Sequence, residues 1–332
     1  MKQSQELGFD VVIGNPPYQL KDGGNNASAV PIYQKFVLQA ERLNPRYLCM
    51  IIPARWYSGG RGLDDFRDSM LNDRHLIKIV DYPNADECFP GVDIAGGVCY
   101  FLRDRDHESD CEVTNVISGI KTVVGRRLNE FPTFIRYADA LNIVHKVRKV
   151  EQSFMDSMVS SQKPFGLRTY VVPTESGDIT LRYSGGFGPF NRKDVTSGME
   201  WIDKFKVIMS YLTYDHAGKP DKEGKRRIFS TMDLLNPGTV CTETYIVVGA
   251  FKKKVEAENL MGYLKTRFVR FLVAQMTSTQ HISKGSFAFV PIQDFSKPWT
   301  DEELYAKYGL TEEEIAFIDS MIRPMDLSGG DN

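Results

Sequence analysis

Short apolar runs and helical patterns alternate along the first hundred residues of the chain, and this alternation constrains the fold more than any other feature. Phe9-Asp10-Val11-Val12-Ile13-Gly14 is apolar, runs into Asn-Pro-Pro and reads as a buried strand. After a Gly/Asn loop over residues 22–28, Ile32, Phe36, Val37, Ala40 and Leu43 recur at helical spacing. Residues 47–53 read as a second buried strand, and Leu63, Phe66, Met70 and Leu71 as a second helix. Further strands are predicted over residues 76–80 and 97–102. Strands separated by helical patterns of this length predict an α/β sheet, incomplete as an independent domain.

Past residue 115 the texture changes. Basic residues crowd the segment 119–150 (Lys121, Arg126, Arg127, Arg136, Lys146, Arg148, Lys149), which reads as a helical connector. Residues 160–290 mix short β-like runs with Gly/Pro/Asn turns and read as an α+β domain. Thr300-x-x-Glu303 and Thr311-x-x-Glu314 each match a capping box, so two short helices are predicted in the tail. At roughly 150 residues per domain, a chain of 332 residues holds about two domains. The expected organisation is 1–118, a connector over 119–150, a second domain over 151–298 and a helical acidic tail over 299–332.

Charge and cysteine usage narrow the function classes. Forty-one Lys plus Arg against 43 Asp plus Glu exclude a basic coat over the whole chain, though local patches remain open. No stretch approaches the ~20 apolar residues of a membrane helix, and the first residues lack a signal-peptide pattern. The 5 cysteines are scattered without a C-x-x-C, which predicts neither a zinc site nor a disulfide framework. The 5 histidines have no ligand-like spacing, so no metal is expected, and the chain reads as cytoplasmic.

Asn15-Pro16-Pro17-Tyr18 follows the first strand directly, where ligands of open α/β sheets bind. Two prolines stiffen the turn. The Asn15 amide oxygen and the Pro16 carbonyl become acceptors for a planar amino group, with the Tyr18 ring available to stack on the same substrate. Two acceptors on an NH2 group draw its nitrogen toward tetrahedral geometry and localise the lone pair for attack, which suits methylation of an exocyclic amine. A strand followed by a Pro-Pro turn is the plainer reading of the tetrapeptide alone.

Residues 9–19, FDVVIGNPPYQ, resemble the catalytic motif of adenine-specific DNA N6-methyltransferases from bacterial restriction–modification systems, in particular those joining methylase and specificity parts in one polypeptide. Residues 32–43 with 47–53, residues 76–82, and Cys88-Phe89-Pro90-Gly91-Val92 leading into 97–101 resemble the segments that follow in that family. The resemblance implies a partial Rossmann-like methyltransferase sheet, followed by an α+β target-recognition domain and a short helical tail. It implies that Asn15, Pro16, Pro17 and Tyr18 are catalytic, that Tyr18 and Phe89 stack on a flipped adenine, and that the intact enzyme uses S-adenosylmethionine. Chemistry on a base amine requires that the base leave the duplex stack.

In this motif order a cofactor-binding half precedes the catalytic motif, yet fourteen residues precede Asn15, too few for a βαβ unit of ~30 residues. The glycine clusters at 59–62 and 184–188 read as turns, so the cofactor-binding residues stay unknown and the chain is expected to be a fragment. Expected partners are double-stranded DNA bearing a specific adenine-containing site and an N-terminal methylase or nuclease part; no membrane partner is expected.

DNA-contact candidates are Lys222, Lys225, Arg226 and Arg227, within a basic run that also holds Lys204, Lys206 and Lys219, and Gln280, His281 and Lys284 in a polar loop. Lys252, Lys253, Lys254, Lys265, Arg267 and Arg270 form another basic group. For any one lysine a solvated face is the plainer reading. Residues 220–225 read as a polar turn rather than a nuclease metal site. A non-catalytic DNA-binding or specificity module, and an RNA or protein amine methyltransferase, are the alternatives.

Overall fold

The computed structural model describes residues 8–20, 30–58, 62–92, 94, 96–131, 133–214, 221, 223–277 and 281–325. Lys222 and Gln280, both named above as DNA-contact candidates, lie outside the described residues. The chain divides into two compact units, Met1–Ala138 and Asp139–Asn332.

The first unit contains β1 (Val11–Gly14), β2 (Gln19–Leu20), β3 (Val30–Pro31), α1 (Tyr33–Arg42), β4 (Tyr47–Pro53), α2 (Asp64–Asn72), β5 (Leu76–Tyr82), β6 (Val98–Asp104), β7 (Cys111–Ile117) and β8 (Ile120–Arg126). Among the described residues, six of these strands form one mixed sheet in the order β1-β4-β6-β5-β7-β8. β1 pairs parallel with β4, and β5 parallel with β7. β6 lies between β4 and β5 and pairs antiparallel with both. β1, β4 and β5 therefore end on the same edge of the sheet. The α/β class expected from the sequence is borne out.

Helical spacing buries Tyr33, Val37 and Ala40 of α1, and Phe66, Met70 and Leu71 of α2, against Leu48, Ile52, Leu76, Ile79 and Phe101 of the sheet. Asp64 and Asp65 sit in the first turn of α2, where carboxylates complement the helix dipole. Phe36 and Leu43, expected on the buried face of α1, are exposed. The sequence reading of β1 as a buried strand also fails. Val11 is 50% and Ile13 77% exposed, because β1 is the terminal strand of its sheet and has no neighbour on its outer side among the described residues. Apolarity alone does not tell a central strand from an edge one.

The far side of this sheet is tied by a buried ion pair. Asp81 is fully buried and accepts from Arg136 Nε and Nη2, both at 2.7 Å, and from Asn115 Nδ2 at 3.1 Å. Asn115 Nδ2 also donates to the Arg136 carbonyl at 3.1 Å, and its Oδ1 accepts from Ala138 N at 3.3 Å. β5, β7 and the segment leading out of the sheet thus share one set of hydrogen bonds.

The boundary between the units falls at the first residue of α3 (Ala138–Val150), within the segment read as a connector. The second unit continues with β9 (Ile179–Tyr183), β10 (Gly186–Phe190), α4 (Met199–Ile202), β11 (Phe205–Ser210), β12 (Met232–Leu235), β13 (Thr239–Cys241) and β14 (Tyr245–Phe251). These strands form two three-stranded sheets, β10-β9-β13 and β12-β11-β14. The helices α5 (Lys254–Lys265), α6 (Arg267–Met276), α7 (Asp301–Tyr308) and α8 (Glu312–Met321) follow. Both predicted capping boxes form, Thr300 with Glu303 and Thr311 with Glu314. Lys206, read as one of a basic surface run, is instead fully buried, and its ammonium donates to the carbonyls of Trp201, Ile202 and Lys204 at 3.0, 2.9 and 2.7 Å. These bonds close the C-terminal end of α4, and they are why this lysine lies inside.

Replacing one partner of a buried ion pair strands the other. Arg136→Met is expected to destabilise the protein by about 3 kcal/mol in urea denaturation. Asp81→Asn with Arg136→Met should recover a large part of that loss.

Candidate active site

Three connections meet at the edge where β1, β4 and β5 end. The first is Asn15-Pro16-Pro17-Tyr18. Asn15 is exposed and hydrogen-bonds to no described residue, while Pro16 is buried beneath it. Tyr18 is half-buried against the core cluster, and Ile32 N donates to its carbonyl at 3.1 Å as β2 pairs back with β3. Its hydroxyl is buried and lacks a partner among the described residues. Burial raises the Tyr18 pKa above the usual phenol value, and the neighbouring Cys88 and Cys99 thiols add to the shift.

The second connection is the turn after β4, Ala54–Ser58, which buries Trp56 and Tyr57 beneath the edge. Trp56 Nε1 donates to Cys99 Sγ at 3.4 Å, and burial pushes the Cys99 thiol up to about 12. The third connection runs from β5 to β6. It is latched at Gly97, whose carbonyl accepts from Ala54 N at 3.0 Å. Gly97 has φ +77, and a Cβ there would lie 2.1 Å from the Tyr82 carbonyl oxygen, so no other residue fits.

Phe89 lies in this third connection and is half-buried. Its amide donates to Ala85 O at 2.8 Å, and Val92 N donates to Phe89 O at 3.0 Å. Asp86 Oδ1 accepts from Gly91 N at 2.7 Å. The Glu87 carboxylate reaches the β7–β8 turn, accepting from Ser118 N at 3.1 Å and Gly119 N at 2.9 Å. Ser118 and Gly119 both have positive φ, 51° and 77°, as a two-residue hairpin turn requires. Asn15, Tyr18 and Phe89 therefore come from connections at one sheet edge. Glu87 was missed by sequence reasoning, because its turn partners lie 31 and 32 residues away.

Two of the DNA-contact candidates, Arg227 and His281, flank one segment of the second unit, residues 211–214. Arg227 lies over the Tyr214 ring, 4.5 Å from its centroid, and His281 stacks on Tyr211 at 4.7 Å. Arg226 bridges to Ile322, Lys225 is half-exposed and Lys284 is exposed in a short helical turn. Tyr211 and Tyr214 were not singled out from the sequence, although a Tyr-x-x-Tyr beside a basic run was the available signal. Arg270 is corrected: it is fully buried, donating to the carbonyls of Lys265 at 3.0 Å and Arg323 at 2.7 Å, and is no phosphate ligand. Arg267 is held by Asp319 at 2.6 Å.

An open cavity of about 670 Å³ lies among α5 to α8, lined by Arg267, Asp301, Tyr305 and Asp319; of the residues singled out from the sequence it holds Lys265, Arg267 and Arg270. Among the described residues no three His, Cys, Asp or Glu side chains gather into a metal site. No described helix is long and apolar enough to cross a membrane.

Residues 1–89 match the family model for Eco57I restriction-modification methylase. An uncharacterized adenine-specific methylase of Mycoplasma pneumoniae is 42% identical over 105 residues, which is 30% of this chain and 24% of that protein. The type IIG restriction endonuclease BpuSI is similar at a TM-score of 0.39 and 11% identity, over 91% of this chain and 49% of that one. The type IIL restriction-modification enzyme MmeI in complex with DNA is similar at 0.37 and 8%, over 83% and 45%. The matched stretch thus spans about a quarter of the methylase relative, and the resemblance to restriction–modification methylases holds over the segment that carries the candidate catalytic motif.

If Glu87 holds the Phe89 connection to the hairpin turn, Glu87→Ala should speed amide hydrogen exchange at Ser118 and Gly119 about tenfold. Exchange in β4 and β6 should be unchanged.

Proposed function

We propose that this chain is the catalytic and target-recognition part of a restriction–modification methyltransferase that acts on adenine N6 in a specific site of duplex DNA. The observation that carries this reading is the exposed Asn15 amide, on a proline-stiffened turn at the end of a parallel strand, beside the Phe89 connection. The Asn15 amide oxygen and the Pro16 carbonyl accept the two N–H bonds of the base amine. That interaction localises the nitrogen lone pair and fixes its direction without a strong general base. Tyr18 and Phe89 hold the flipped base by its faces, each stack contributing on the order of 1–3 kcal/mol. Lys225, Arg226, Arg227, His281 and Lys284 contact the DNA in the second unit.

The methyl donor in this reading is S-adenosylmethionine, which supplies an electrophilic methyl group. The described residues do not fit it. Among the described residues no Gly-rich strand-to-helix turn stands at the candidate edge, where such a cofactor's site belongs; Gly59, Gly60 and Arg61, between β4 and α2, lie outside them. The open side of β1 supports a cofactor-binding half from elsewhere in the enzyme. Parallel sheets are normally covered on both faces, yet Phe9, Val11 and Ile13 are 43%, 50% and 77% exposed. The second reading is a DNA-binding specificity module that does not itself catalyse, since the described residues alone hold no fitting cofactor site.

Methyl transfer from labelled S-adenosylmethionine to mixed-sequence duplex DNA tests the proposal, with this chain alone and with the cofactor-binding polypeptide of its source added. Label is expected as N6-methyladenine in the combined reaction and not with the chain alone. Asn15→Ala should lower transfer at least about a hundredfold while leaving DNA affinity within about twofold. Unchanged turnover would remove Asn15 from catalysis. Label in RNA or protein would sink the DNA assignment, and DNA binding without transfer in either reaction would leave the second reading.

A further inference from the structure

The connection that carries Phe89 folds into a tight turn over residues 84–92. Ala85 is buried, and its carbonyl accepts from Cys88 N at 3.0 Å as well as from Phe89 N at 2.8 Å. Asn84 Oδ1 accepts from Asp86 N at 3.2 Å, and Asp86 in turn closes on Gly91 N. These bonds shape the turn without tying it to the rest of the sheet. Among the described residues, Glu87 is the one side chain of this turn that hydrogen-bonds beyond it.

What Glu87 reaches is fixed. One carboxylate oxygen accepts from Ser118 N at 3.1 Å and the other from Gly119 N at 2.9 Å, and a charged acceptor makes each bond stronger than a neutral one would. That hairpin turn closes the β7–β8 ladder, which pairs without a break from Cys111 with Arg126 to Ile117 with Ile120. β7 is held in turn by its parallel pairing with β5 and by the bonds of Asn115 to Asp81 and to the Arg136 carbonyl. Ile117 and Ile120 beside the turn are 42% and 71% exposed, so burial does little to hold the tip in place. Glu87 is exposed as well, and hydrogen bonds at an exposed site add little to global stability. The tie therefore orders the connection locally and contributes little to keeping the fold together.

We propose that Glu87 is a positioning residue for methyl transfer, whose carboxylate holds the connection so that the Phe89 ring stands in place before the target base arrives. This rests on the reading of Phe89 given under the proposed function. A ring that becomes ordered only on stacking loses part of the stacking energy to entropy, whereas a ring held beforehand keeps it. Phe89 stands two residues past Glu87, inside the turn that Asp86 closes on Gly91, so a displacement at Glu87 passes directly to the ring. Glu87 itself touches neither the base nor the methyl donor in this arrangement.

The test is a double-mutant cycle on methyl transfer, run with the full chain and the cofactor-binding polypeptide of its source. Glu87→Ala is expected to slow transfer about tenfold. Phe89→Ala should slow it further, and the double variant should be no slower than Phe89→Ala, because Glu87 acts through that ring. Glu87→Gln keeps one oxygen acceptor for the two amides and should fall between wild type and Glu87→Ala. On a duplex whose target adenine is mismatched, flipping costs less, and the loss in Glu87→Ala should shrink. Losses that multiply in the double variant, or that are equal on paired and mismatched targets, mark general support of the fold and overturn the proposal. Glu87→Ala at the wild-type rate also overturns it, as does Phe89→Ala at that rate, and either result leaves the methyltransferase reading intact. Wild-type protein that transfers no methyl group to adenine overturns the proposal together with that reading.

Discussion

β6 runs against its neighbours, and the arrangement of the candidate site follows from that. Because it pairs antiparallel with both β4 and β5, those strands are parallel to one another and end on one edge. β1, parallel to β4, delivers Asn15 to the same edge. A reversed strand also spares the chain a crossover at this point, so the β5–β6 connection can stay at the active edge and carry Phe89. Its return into β6 requires the close approach at residue 97, where the Tyr82 and Pro83 carbonyls leave room only for glycine. The glycine, the buried turn under it and the position of the candidate Asn15–Tyr18 turn are one mechanical unit.

Much of this was legible in the sequence, and the reasons differ by residue. Asn15 to Tyr18 are contiguous, and two prolines define their local conformation whatever surrounds them. The capping boxes at Thr300 and Thr311 are likewise local. Features that depend on residues distant in sequence were not readable. Asp81 and Arg136 stand 55 residues apart, and neither betrays the other. Val11 and Ile13 read as buried because apolarity signals a need for cover without showing whether cover is present. The stack of Arg227 on Tyr214 needed the turn at Ile228, and no single-sequence pattern announces a positive φ at an isoleucine.

The basic residues illustrate how little a charge count says about partners. Arg126 is buried, stacks on Phe134 at 4.3 Å and donates to the Ile135 carbonyl; burial pushes its pKa down to about 10. Arg270 does the same among carbonyls of the second unit, also at about 10. Lys206 serves the end of α4. These groups satisfy backbone acceptors that would otherwise be buried without donors, an expensive condition. What the protons of these basic residues meet, rather than where the residues cluster in sequence, decides their role.

The exposed edge of β1 bears on how an enzyme of the proposed kind would be assembled. An edge strand with free backbone groups and apolar side chains invites pairing with any extended segment, and natural proteins blunt such edges with charge, proline or a bulge. Here Asp10 stands just before β1 and the prolines come only after it, so neither charge nor proline interrupts the strand itself. A partner that adds a parallel strand would cover Val11 and Ile13 and extend the row of strand ends beside Asn15. Cofactor and base would then meet across the new seam, with the acceptors on one side and the methyl donor on the other. In the function proposed above, catalysis would depend on that pairing as well as on Asn15 and Pro16, because acceptors alone only orient an amine.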